Sequence, residues 1–73
     1  MTLDNMSKGE SATITAINCG KELKSRLNSF GLVRGQTVEV EKRSLAKNTL
    51  EIIINNMHLA IRSTEAEKIE VSI

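Results

Sequence analysis

Proline, tryptophan and tyrosine are absent from these 73 residues, and phenylalanine, cysteine and histidine occur once each. Each absence excludes something. With Cys19 alone, no internal disulfide can form and no cysteine-based zinc cluster can assemble within one chain. A thiol left unpaired suits a reducing compartment. With Phe30 as the sole aromatic, a surface platform for stacking bases has no material. No apolar run approaches the roughly 20 residues needed to span a bilayer, and MTLDNMSKGE lacks a signal-peptide core. These features lead us to expect a cytoplasmic protein with no direct membrane insertion. No charge sign dominates either, since the formal net charge is +1. Residues 1–48 carry 8 basic and 5 acidic groups, and residues 49–73 carry 2 and 4. That asymmetry is mild for a nucleic-acid partner, whose phosphates normally demand a far more basic surface.

What is present is alternation. Val38 and Val40 alternate with Thr37, Glu39 and Glu41. Leu50, Ile52 and Ile54 alternate with Thr49, Glu51 and Ile53. Met57, Leu59 and Ile61 alternate with His58 and Ala60, and Ile69, Val71 and Ile73 with Glu70 and Ser72. A period of two marks strands buried on one face. Residues 12–17 form a further strand, rich in β-branched side chains. Asn18 is placed to cap a helix in which Leu23, Leu27 and Phe30 form one stripe. Asn55-Asn56 is a two-residue hairpin turn, residues 44–48 are a polar hairpin loop, and Thr64 to Glu67 fits a capping box opening one helical turn. No proline interrupts any strand. The predicted fold is mainly β: a small five-stranded barrel, with one short α-helix after the first strand and a short helical turn before the last. Residues 1–73 form a single domain, and barrel closure would hide the sheet edges.

Two of the four glycines bracket one short segment, Gly31-Leu-Val-Arg-Gly35. Gly31 falls just past the last apolar helical position, where a positive φ satisfies orphan carbonyls. Leu32 would pack back on the helix. Gly35 supplies a second positive φ for a tight turn. Both are structural turn residues, and together they reverse the chain from helix into strand.

The ordered set Thr2-Leu3, Gly9-Glu10, Arg26-Leu27, Gly31-Leu32, Gly35 before Val38-Glu39-Val40, Leu59-Ala60-Ile61-Arg62, Glu65-Ala66 and Ile69-Glu70-Val71 resembles FeoA, the small ferrous iron transport protein A. The resemblance implies an SH3-like barrel. It also implies a non-enzymatic cytoplasmic accessory of FeoB, the GTP-hydrolysing membrane Fe(II) transporter, bound at that transporter's G-protein region and so recruited to the inner face of the plasma membrane. Two turns depart from the family pattern. Ala46-Lys47-Asn48 stands where Gly-Asp-Pro is common, and Asn55-Asn56 replaces a glycine. The same barrel occurs as the C-terminal domain of iron-dependent repressors, so a metal-sensing module and a nucleic-acid-binding SH3-like module are the alternatives.

Of the candidate sites, His58 lies opposite the apolar face of its strand and reads as a surface residue, since one histidine without thiol or paired carboxylates makes a poor metal site. Cys19 reads as a small buried hydrophobe with a structural role. Glu39 and Glu41 read as solvated outward positions, and no nucleophile, base and orienter come together. No phosphate-binding glycine loop occurs. No cofactor is expected. Lys21, Lys24, Arg26 and Arg34 surround the helix and its exit. Within that basic setting Arg26, Val33 and Arg34 are the residues expected to contact a protein partner, while Leu23, Leu27, Phe30 and Leu32 plug one end of the barrel. An unpaired barrel edge would also permit weak homo-oligomers.

Overall fold

The computed structural model describes residues 1–73. Five strands, β1 (Ser11–Ile17), β2 (Thr37–Ser44), β3 (Thr49–Ile54), β4 (Met57–Arg62) and β5 (Ile69–Ser72), form one antiparallel sheet in the order β4-β3-β2-β1-β5. Helix α1 (Lys21–Ser29) joins β1 to β2, and the short α2 (Ser63–Ala66) joins β4 to β5. The mainly β architecture expected from the alternation is therefore present. Register shifts between Ile14 and Ala16 in β1, and between Val40 and Lys42 in β2, mark bulges. Bulges raise local twist and let a five-stranded sheet curl on itself.

All fifteen buried residues are apolar, and they form one cluster drawn from every strand, both helices and the N-terminal segment. Leu50, Ile52 and Ile54 of β3 are fully buried in it, and their alternates stay half-exposed. The N-terminal contribution had no periodic signal. A 3₁₀ turn (Leu3–Asn5) is held by Asn5, whose Oδ1 accepts the Thr2 N–H at 2.9 Å, and it sends Leu3 and Met6 into the core.

The sheet does not close. β4 and β5 stand at opposite ends of the strand order and do not pair, so the SH3-like barrel stays open along these two edges. The two edges are treated differently. Along β5, the Val71 N–H donates to the Met1 carbonyl at 2.9 Å and Thr2 bridges to Glu70. Nothing comparable covers β4.

Three local expectations shift. Gly20, not Asn18, is the N-cap of α1. Asn18 is held by β5, its N–H donating to the Lys68 carbonyl at 2.7 Å and its Nδ2 to Glu70 Oε2 at 2.8 Å. The second helix begins at Ser63, because Glu65 Oε1 accepts the Arg62 N–H at 3.0 Å and fixes Arg62 as the N-cap. The loop after β2 is not uniformly polar: Leu45 stands at its tip, 86% exposed.

The exit of α1 follows the expected chemistry. The Leu32 N–H donates to the Leu27 carbonyl and the Gly31 N–H to the Asn28 carbonyl, each at 3.0 Å. This is the paired bonding of a Schellman motif, with Gly31 at φ 92° and Leu32 fully buried. Asn55 and Asn56, at φ 52° and 63°, close the β3–β4 hairpin. The two turns lie close enough that a Cβ on Gly31 would stand 3.0 Å from Asn55 Nδ2. Gly31→Ala should therefore lower stability by about 1–2 kcal/mol from left-handed backbone strain. Chemical denaturation checks this, and an unchanged midpoint would refute it.

Candidate partner-binding site

The helix-exit turn is anchored rather than merely short. The Gln36 N–H returns to the Val33 carbonyl at 3.2 Å, and Gly35, at φ 94°, occupies the position of a type II turn that needs a positive φ. The Gly35 N–H donates to the Ile14 carbonyl at 2.8 Å, and the Ile14 N–H donates to the Gln36 carbonyl at 2.9 Å. These bonds tie the turn to β1, so Val33 and Arg34 are presented on a fixed support.

Val33 is half-buried and Arg34 exposed. They border a groove of 330 Å³ between α1 and β1, whose other lining includes Ala16, Ile17, Lys24 and Asn28. The ion-paired cations lie elsewhere: Arg26 with Glu65, Lys42 with Glu51 and Arg43 with Asp4. Lys24 and Arg34 keep their charge free at the rim of a small apolar patch.

Arg26 is not part of that patch. It lies on the other side of α1, where its guanidinium pairs with Glu65 of α2. There it borders a second groove of 410 Å³ with Phe30, Leu59 and Arg62. The three residues expected to act together are thus divided by the helix. Phe30 also departs from its expected plugging role. It is the C-cap of α1 and is 37% exposed, whereas Leu27 and Leu32 are buried and Leu23 is half-buried. The sequence signal for Leu59 was misleading in the same way, since alternation marked it as core while its place on an edge strand leaves it half-exposed.

The remaining candidates are simple. His58 is on the surface, with Nδ1 3.0 Å from Glu41 Oε1. Cys19 is half-buried against the core. Glu39 is exposed, and the bulge after Val40 breaks its regular alternation with Glu41. No group of three or more His, Cys, Asp or Glu converges on a point that could hold a metal ion. No helix is long and apolar enough to cross a membrane.

The model of the FeoA domain matches residues 1–73. The chain belongs to the FeoA family. A relative from Campylobacter jejuni, named as an Fe(2+) transport protein A, is 36% identical over 73 residues, covering 100% of this chain and 99% of its own. The solution structure of the FeoA protein from Chlorobium tepidum superposes with a TM-score of 0.93 at 33% identity, over 100% of this chain and 70% of that one. FeoA of Stenotrophomonas maltophilia, solved with zinc and described as a prokaryotic SH3 domain protein, gives 0.86 at 22% identity over 99% and 89% of the two chains. That last likeness concerns the fold, and it agrees with the SH3-like barrel implied by the sequence.

Proposed function

We propose that this FeoA-family chain is a non-enzymatic cytoplasmic accessory protein of ferrous iron uptake. It binds the G-protein region of a FeoB-like membrane Fe(II) transporter and is carried to the inner face of the membrane by that contact. The observation behind this reading is the helix-exit turn, tied by backbone bonds to β1, where Val33 lines one groove with the free cations Lys24 and Arg34. Apolar groups ringed by charge suit a reversible protein interface. Such a partner modulates transport by its differential affinity for two transporter conformations, since equal affinity shifts nothing.

Calorimetry with the soluble G-protein domain and with the detergent-solubilised transporter tests this. Saturable binding is expected, with Val33→Glu and Arg34→Glu each weakening it about tenfold or more, a change of about 1.4 kcal/mol. Binding that survives both substitutions moves the interface away from the turn. Absence of binding to either preparation removes the proposed partner.

A further inference from the structure

The uncovered edge of β4 has a definite hydrogen-bonding pattern. The hairpin is closed at Ile54 and Met57, and its register continues through Ile52–Leu59 and Leu50–Ile61. In an antiparallel ladder, bonded and non-bonded pairs alternate. A two-residue turn is flanked by a bonded pair, so Met57, Leu59 and Ile61 bond inward to β3. His58, Ala60 and Arg62 then direct their N–H and C=O groups outward. The fate of the Arg62 N–H agrees, since it is captured from outside the sheet by Glu65 Oε1. His58 and Ala60 have no such partner: neither takes part in any backbone hydrogen bond outside the regular elements.

The side chains beside this edge carry a second pattern. Leu59 and Phe30 are partly exposed along the α1–β4 groove, with Leu27 and Ile61 beneath. Of the charges there, Glu65 already serves Arg26 with one oxygen and the Arg62 N–H with the other. The Arg62 guanidinium is exposed and forms no ion pair. The groove therefore offers open backbone groups, an apolar strip and one uncompensated positive charge at its end.

We propose that the β4 edge is a docking surface for an extended partner segment, which adds as a further strand, lays an apolar side chain on Phe30 and Leu59, and sets a carboxylate opposite Arg62. Main-chain bonds at His58 and Ala60 supply attachment, and the alternate side chains supply selectivity. The surface is read from the edge itself; only its natural owner, a segment of the transporter, rests on the accessory-protein reading.

The test uses the intact protein, isotope-labelled, titrated with a blocked peptide of alternating threonine and valine in which one threonine is replaced by aspartate. Amide shifts should concentrate at His58, Ala60, Phe30 and Leu59. A lysine twin of the peptide should bind about fivefold more weakly, the scale of an exposed ion pair. Ala60→Pro should abolish binding, because proline removes an outward N–H that an edge strand can lose without unfolding. Ala60→Val keeps that N–H and should bind normally, and Arg62→Gln should erase the difference between the two peptides. Shifts confined to the Val33 groove, equal binding of both peptides, or no shifts would each overturn the proposal. So would a dimer dispersed by Ala60→Pro, which would give the edge to a second copy. Peptide binding without transporter binding would sink the transporter reading alone; the reverse would sink the edge alone.

Discussion

Replacing Leu32 by alanine is expected to cost about 2–5 kcal/mol, the range for emptying a fully buried leucine site. A domain of this length has only about 4–11 kcal/mol of stability to lose. The substitution should therefore bring the protein to the margin of folding at growth temperature. Two effects add. The cavity opens in a core made wholly of apolar side chains, with no buried polar group to reorganise around it. The Schellman motif also loses the hydrophobic contact that accompanies its bonds, while the Leu32 N–H still reaches the Leu27 carbonyl. Denaturant melts should show a lower midpoint at an unchanged slope. A shift below about 1 kcal/mol would mean that the exit of α1 is not packed as described.

Arg43→Ala should be the most damaging substitution of any charged residue, at about 2–4 kcal/mol. From β2 its guanidinium donates to the Asp4 carbonyl at 2.9 Å, to the Met6 carbonyl at 3.1 Å and to Asp4 Oδ1 at 3.0 Å. Both side chains of the ion pair are more than two-thirds buried, so solvent screens it less than an ordinary surface pair. Removing the arginine strands partly buried acceptors, which costs more than the net value of the bonds. The loss should be local in origin. Hydrogen exchange should accelerate first at Asn5 and Met6, whose amides close the 3₁₀ turn, and at Val71, whose amide bonds Met1. Uniform acceleration across the sheet would contradict the view that Arg43 chiefly holds the N-terminal segment. Arg43→Lys should recover only part of the loss, since one ammonium cannot reproduce the planar fork.

The strands were legible because each obeys a simple period, and Gly31, Gly35 and Asn55-Asn56 announced their turns through a backbone conformation that few residues tolerate. The N-terminal turn was not, because Leu3 and Met6 reach the core without periodicity and depend on an arginine whose bonds to Asp4 and Met6 span 39 and 37 residues, a pairing that no local pattern contains. The N-cap of α1 was misassigned for a related reason. Asn18 has the chemistry of a cap, but β5 competes for it, and strand pairing is a long-range fact. The candidate site was legible residue by residue and not as an arrangement. Composition pointed to Arg26, Val33 and Arg34, while only the placement of α1 reveals that they serve two grooves. The role of Leu59 hinged on β4 being an edge, which alternation cannot express.

Helix α1 is one wall of both grooves, and it is held unequally. Its C-terminal end is held by the Schellman bonds at Gly31 and Leu32, while its first turn rests on Gly20 with no side-chain cap. The Gly31 end of the helix is thus the better anchored of the two. An occupant that tilted the helix from the β1 side would resize the slot on the β4 side, and by reciprocity the reverse would hold. Two partners seated on opposite flanks would sense each other through nine residues of helix, helping or excluding one another according to whether both prefer the same tilt.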